Sequence, residues 1–581
     1  MKLLLALFLS LFAFSVHAAD ANGYTAKYEC RASGPNCNVD VATYTTAGCA
    51  QTITTSDSLT TIESKLNTGS SPVCITNGDY SAKGTITITA SGTSGSRRVL
   101  RYTRSGDDDD EPWDQSGANQ VKMPQVEMDG AQYWIFHRLS WIGGYAPGVL
   151  LLEDTGAANN IFNRLYFTGQ SSDHTPDSPA AIWAWRGADY TTFQNSVCSN
   201  ADVQPDLEVD CFVAENSSHN RFVNNECFNL QKCYFQKGWF LDDNAGSVVE
   251  NNDVYITTAY YYNGSGVQSP TGNYSASKEQ LSMKRGGTSS SNYTKIMHNR
   301  VWGLRRSDIN ACCLSTGGGE GVMITDDSAN IAAAPEPESD DYNLILNNIF
   351  MDNQRGVDVA RGSKDNNSII GNTFYKIKDH VSQPSAAISA YTGNTFEVYL
   401  NTIISSDSWT APAFTNSDLR CNTIIASGDK ATTAGSGTQA DYNVFYGTTV
   451  WTTESPGSNL GNYTINTRAN STAYSLNDII RTTATPPEDG TAGDFLYKVT
   501  TAGTSAGSPP SYTTTLGATT TDGTMVVQAI RGPLSFYRKL RTSPELVYIP
   551  YAKVNTAAPE YGYCPSTFAS RSGIGVDNTQ P

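Results

Sequence analysis

Ten times between residues 163 and 445 the chain repeats one short pattern: a β-rich stretch, an asparagine, any residue and an apolar residue. The copies are Asn163-Arg-Leu165, Asn195-Ser-Val197, Asn225-Glu-Cys227, Asn252-Asp-Val254, Asn299-Arg-Val301, Asn347-Asn-Ile349, Asn372-Thr-Phe374, Asn401-Thr-Ile403, Asn422-Thr-Ile424 and Asn443-Val-Phe445. His137-Arg-Leu139 is an earlier copy without the asparagine. Successive asparagines are 32, 30, 27, 47, 48, 25, 29, 21 and 21 residues apart. Self-similarity at such periods marks a solenoid, in which no unit buries its apolar face alone. Short runs of β-branched and aromatic residues between Gly and Asn weigh against helical repeats. The fold class predicted is therefore all-β, a right-handed parallel β-helix of about 11 coils and about 50 Å, at about 4.8 Å per coil. Inward residues such as Ile161, Ile345, Ile369 and Val398 form one core, and stacked asparagines bond along the axis in a structural ladder. The two long intervals imply insertions around residues 257–292 and 304–341.

The rest of the chain sets the context. The net charge is −17, which argues against a nucleic-acid binder; a polyanionic partner needs local positive charge to offset the general repulsion. Lys2, the apolar run Leu3–Val16 and the small residue Ala18 read as a signal peptide over residues 1–18. That run is too short to span a bilayer, and no other segment qualifies, so the chain is expected to be secreted or periplasmic. All 12 Cys follow the signal, an even number suited to disulfides in an oxidising compartment. Cys30, Cys37, Cys49 and Cys74 suit a staple for an N-terminal cap. Cys198 and Cys211, and Cys227 and Cys233, are locally spaced, while the vicinal Cys312 and Cys313 each suit a partner elsewhere. The predicted organisation is a Cys-rich cap over 19–75, the β-helix over 76–459, a small β module over 460–531 and a closing segment over 532–581. The Thr-, Ser- and Gly-rich module contains Leu496-Tyr-Lys-Val499, Ser508-Pro-Pro510 and Asp522-Gly-Thr524. It resembles a small β module of phage tail proteins and secreted carbohydrate-active proteins. Carbohydrate binding and a spacer or assembly role are both open for it.

Chemistry on a solenoid sits in a groove walled by inserted loops, so the two long intervals are the first place to search. Between them lie Glu279-Gln-Leu-Ser282-Met-Lys284-Arg285 and, further on, Trp302-Gly-Leu-Arg305-Arg306. The Glu-x-x-Ser-x-Lys spacing of Glu279, Ser282 and Lys284 resembles that of the β-helix polysaccharide lyases that include chondroitinase B and alginate lyases. The resemblance implies Lys284 as base, an Arg about one coil later, and a calcium held by acidic and Asn side chains. Arg305 follows Lys284 by 21 residues, and Arg305 or Arg306 is the expected carboxylate partner. Glu279 and Asn252 are the expected calcium ligands. Ser277 stands where the family has a second acidic residue, and the family's Arg-His-Gly triplet is replaced by Arg305-Arg-Ser307.

The physical logic agrees. Uronate β-elimination removes a weakly acidic proton beside a carboxylate that a cation must neutralise. The base must be neutral, and flanking Arg285, Arg305 and Arg306 lower a lysine's pKa by like charge. Arg285, Trp302 and Tyr261 are the expected substrate contacts, with Trp183, Trp185, Tyr260 and Tyr262 as further rings able to stack on sugars or to serve as core. A solvated basic strip is the structural alternative for the same residues. Two other functions stay open: a non-catalytic surface or adhesion rod, and a glycoside hydrolase with paired carboxylates from Glu320, Asp326 and Asp327. The acidic run Asp107–Glu111 suits a solvated loop. His137 and His298 sit beside the ladder.

Overall fold

The computed structural model describes residues 41, 48–102, 121–142, 148–153, 156–168, 180–185, 187–199, 210–230, 232–237, 246–256, 280–284, 294–304, 319–325, 342–359, 367–377, 386–390, 396–405, 417–426, 433–434, 439–441, 443–446, 452–453, 463–482, 495–531, 536–541 and 546–551. The expected signal peptide, Cys30, Cys37, Cys312, Cys313, the Asp107–Glu111 run and the tail beyond residue 551 lie outside these residues.

A full coil lays down three short strands, as in Ile161–Asn163, Tyr166–Thr168 and Ala180–Trp185. Each pairs in parallel with its equivalents one coil before and after. Three sheets result, here A, B and C in the order the chain visits them from Ile161. Sheet A has 14 strands and sheet C has 10. The architecture is the parallel β-helix predicted from the repeat. It starts earlier than expected, because Gln51–Ile53 and Val73–Ile75 already pair in parallel as the first rungs of sheet A. The helix Leu59–Asn67 lies between those rungs, capped by Ser58 and burying Ile62 and Leu66. The Cys49–Cys74 disulfide joins the same rungs. The two long intervals are not insertions throughout, since each contributes a strand to sheet C, Leu281–Lys284 and Glu320–Thr325.

Strand alternation fills the interior. Sheet A sends in Phe136, Phe162, Phe193, Phe222, Val249, Ile296, Ile345, Ile369 and Val398, and sheet B sends in Trp141, Phe167, Val254, Val301, Phe350 and Phe374. Buried side chains of this size stabilise by about 1.5–3 kcal/mol each. Ile161 corrects the expected inward set: it packs outside with Val41, Val99 and Ile135, and its neighbour Phe162 points in. Where sheet B offers cysteine, disulfides cross the coil to sheet C, Cys198–Cys211 and Cys227–Cys233. Beside Phe350 and Phe374 of sheet B, sheet C places glycine. A Cβ on Gly321 would stand 2.5 Å from the Phe350 ring, and one on Gly356 would stand 2.3 Å from Phe374.

A left-handed residue marks the corners. Between sheets A and B this residue is Arg138, Arg164, Asn195, Asn224, Asn251, His298, Asn347, Gly371, Leu400 or Cys421, with φ between 54° and 66°. The next residue turns inward, and there the asparagine ladder runs through Asn225, Asn252, Asn299, Asn348, Asn372, Asn401, Asn422 and Asn443. Three predicted rungs shift. Asn195 and Asn347 are the left-handed residues themselves, and Asn163 ends a sheet A strand. Ser196 extends the ladder one coil by accepting from Leu165 N and donating its own N–H to Asn225 Oδ1.

From residue 463 the chain leaves the solenoid without a break in pairing. Tyr463–Thr467 pairs in parallel with Val444–Tyr446, then with Ile479–Arg481, after which antiparallel strands Phe495–Thr501, Met525–Arg531 and Thr519–Asp522 follow. Among the described residues no helix is long and apolar enough to cross a membrane. Disulfides such as these persist in oxidising compartments.

Candidate functional site

The outer face of sheet C gathers the polar side chains with chemistry to offer. Leu281 and Met283 point into the core, which turns Ser282 outward, and Val357 and Val359 do the same for Asp358. The register lines up Trp183, Val213, Phe235, Ser282, Met323 and Asp358 along the axis. At the start of the later strands, Glu320 stands opposite Arg355. Arg355 Nη1 lies 2.5 Å from Asp358 Oδ2 and 3.5 Å from Glu320 Oε1. Glu320 is fully buried and Asp358 nearly so. Burial pulls the Arg355 guanidinium down, and Asp358 and Glu320 more than offset that, leaving it above the ordinary arginine value. Towards the N-terminus the same face turns apolar, where Trp183 packs on Ala180 and Val213.

Lys284 is the last residue of its strand, two positions beyond Ser282. Its register partner one coil on is Thr325, 41 residues later, so the 21-residue spacing to Arg305 is not the coil repeat. Arg305, Arg306, Arg285, Glu279, Tyr261, Asp326 and Asp327 lie outside the described residues.

Two expected site residues are committed elsewhere. Asn252 is buried in the ladder. Its Oδ1 accepts from Asn225 N at 2.8 Å, and its Nδ2 donates to Phe222 O at 2.9 Å and Asn299 Oδ1 at 2.8 Å. That leaves no amide oxygen turned to a calcium ion. Trp302 is on the outside of sheet B but only 8% exposed. Its ring stacks on Tyr255 at 4.4 Å, and Tyr255 stacks on Phe228 at 5.1 Å. Stacked rings cover each other's faces, so this column strengthens sheet B and offers sugars no platform. His137 and His298 stand at the corner of sheets A and B, bonded to Asn163 at 2.8 Å and Glu250 at 3.3 Å. Burial, then Arg138, Arg164 and Arg101, push His137 down to about 3, so it is neutral. Among the described residues, no group of three His, Cys, Asp or Glu side chains is placed to hold a metal.

Arg355 and Asp358 were missed from sequence, although a signal exists. Glu320-Gly-Val-Met-Ile324 and Arg355-Gly-Val-Asp-Val359 are one pattern, a charge before glycine and a core aliphatic, in strands paired side by side.

No family profile matches the sequence. No curated protein matches it. Among solved structures, the catalytic domain of a GH87 alpha-1,3-glucanase in complex with nigerose is similar at 12% identity and a TM-score of 0.41, over 74% of this chain and 70% of that one. A PL6 alginate lyase in complex with a trisaccharide is similar at 13% and 0.38, over 74% and 88%. The tailspike protein of E. coli bacteriophage HK620 is similar at 10% and 0.34, over 86% and 90%.

Proposed function

We propose that this chain binds and cleaves a uronic-acid-containing polysaccharide along the outer face of sheet C, by β-elimination. The observation that carries the reading is the company kept by Ser282 and the Lys284 position: they share the outer face of sheet C with Arg355, a cation that the buried carboxylates of Glu320 and Asp358 hold in place. Lys284 takes the proton beside the uronate carboxylate, and Arg305 or Arg306 neutralises that carboxylate, so that negative charge develops opposite fixed cations. Arg285 adds to the local positive field. The glycosidic oxygen then leaves and an unsaturated sugar end remains. Asn252 does not fit a calcium site, and the arginines supply the neutralising charge.

A hydrolase reading at Glu320 and Asp358 is weaker. Both carboxylates contact one guanidinium nitrogen, so Arg355 fills the gap in which a glycosidic oxygen would sit between acid and base. A non-catalytic rod would need only the ladder and the core.

The test is ultraviolet absorbance of unsaturated ends released from alginate, chondroitin and pectate, with and without a calcium chelator. The expected outcome is product from at least one polymer that survives chelation and disappears in Lys284→Ala. Failure to release product from any of them, or an unchanged Lys284→Ala protein, sinks the lyase.

A further inference from the structure

The corner between sheets C and A carries a second feature that the proposed active face does not use. The last left-handed residue before each sheet A strand is Tyr133, Asn159, Tyr190, His219 or Gly246, with φ of 59°, 61°, 56°, 56° and 69°. Backbone bonds fix the order: Tyr133 N donates to Ala158 O, Asn159 N to Asp189 O, and Tyr190 N to Ser218 O. Glycine, asparagine and histidine adopt this backbone more readily than tyrosine does. Two of the five positions nevertheless hold tyrosine.

Tyr190 is 53% exposed, one of the few large apolar side chains left in solvent among the described residues. The His219 ring stacks on it at 4.7 Å and 17°, fixing its orientation and covering one face. His219 is itself held by Ser218 Oγ at 2.9 Å from Nδ1, and it overhangs Gly246, where a Cβ would meet it at 2.7 Å. On the other side of Tyr190 the corner position is Asn159, which has no ring to stack on it. Arg97 stands beside Asn159. Its guanidinium lies 5.4 Å above the Tyr133 ring and donates to the Asn159 carbonyl. Asp189, the carboxylate next to Tyr190 in the chain, is turned to the Ser218 N–H at 2.6 Å.

We infer that this corner is a non-catalytic sugar-binding platform, with a uronate ring lying on the face of Tyr190 turned away from His219 and its carboxylate directed to Arg97. A rigid aromatic face takes the apolar C–H side of a pyranose, and the guanidinium distinguishes an acidic sugar from a neutral one. The column differs from the sheet B stack, where rings cover one another on successive coils. The inference takes its substrate class from the proposed function, but it does not need catalysis.

The experiment is affinity electrophoresis of the full chain, in a Lys284→Ala background, through gels containing alginate, pectate or a neutral glucan. Tyr190→Ala is expected to weaken retention by a polyuronate about three- to tenfold. Tyr190→Phe should keep retention, and the neutral glucan should retain neither protein. Unchanged retention in Tyr190→Ala overturns the platform, as does equal retention on the neutral glucan or none on any polyuronate. The two readings fail separately: a wild-type protein that forms no unsaturated product leaves a Tyr190-dependent retention standing, and the reverse also holds.

Discussion

A mid-ladder asparagine makes four buried hydrogen bonds. Asn348 Oδ1 accepts from Asn299 N at 2.9 Å and Asn299 Nδ2 at 3.0 Å. Its Nδ2 donates to Ile296 O at 2.9 Å and Asn372 Oδ1 at 3.0 Å. Removing that amide strands a buried N–H and a buried carbonyl on neighbouring coils, and water cannot reach them. Asn348→Ala is therefore expected to cost about 3 kcal/mol, read as a shift in urea midpoint. Asn195→Gly makes a clean contrast. It keeps the left-handed corner, φ 54°, and loses part-buried outer bonds to Asn163 and Asn224, so it should cost about 1 kcal/mol or less. Equal losses at the two sites would mean that burial does not set the ladder's contribution. The same pair shows what sequence reading can resolve. The Asn-x-apolar repeat located the A-to-B corners from residue 163 onward, because only a corner recurs with that punctuation. It misassigned Asn195 and Asn347 by one residue, because both the left-handed and the inward positions accept asparagine, and Asn347-Asn348 presents both at once.

At the level of the strand, alternation specifies direction and leaves partners unspecified. Leu281-Ser-Met-Lys284 was legible as a strand with Leu281 and Met283 inward, and it is one. The ion triad was not legible, because it joins strands separated by a long interval whose spacing disguised their register. Glu320 and Arg355 meet because the parallel register of their strands sets them opposite each other. The triad also makes a prediction. Arg355→Ala leaves Glu320 and Asp358 buried beside each other without their cation, a loss of about 3–5 kcal/mol in urea unfolding. A triple change, Arg355→Met with Glu320→Gln and Asp358→Asn, should recover most of it, since replacing all the charges together leaves none unpaired. If the triple variant is no more stable than the single, packing of the arginine stem matters more than charge.

Over the whole molecule, a solenoid must end, and an open strand edge recruits other chains. Here sheet B does not stop at Val444–Tyr446. It passes into the module through Tyr463–Thr467, and the outer apolar column of Trp302, Met351, Tyr375 and Ile404 continues into Ile465, Ile479, Leu496 and Ile530. The module covers that end with antiparallel strands and is locked by one ionic knot. Arg468 Nε and Nη2 donate to both oxygens of Asp522 at 2.7 and 2.9 Å, Ala506 N donates to Oδ1 at 2.8 Å, and the Tyr512 hydroxyl donates to Oδ2. Burial alone would raise the Asp522 carboxyl. Arg468, Tyr512 and Ala506 outweigh it and bring the carboxyl down to about 2, from an ordinary 3.8. A folded-state value below the unfolded one gives stability that is fully present above the unfolded value and is lost as pH falls through the folded one. The knot should thus contribute about 2 kcal/mol at neutral pH and lose it between about pH 4 and pH 2. The expected measurement is a steep fall in the module's unfolding midpoint over that window, flattened in Asp522→Asn, which begins less stable. An Asp522→Asn protein with the wild-type acid slope would assign the loss to other carboxylates. A full chain that stays monomeric after the module melts would show that the module is not what seals the edge of sheet B.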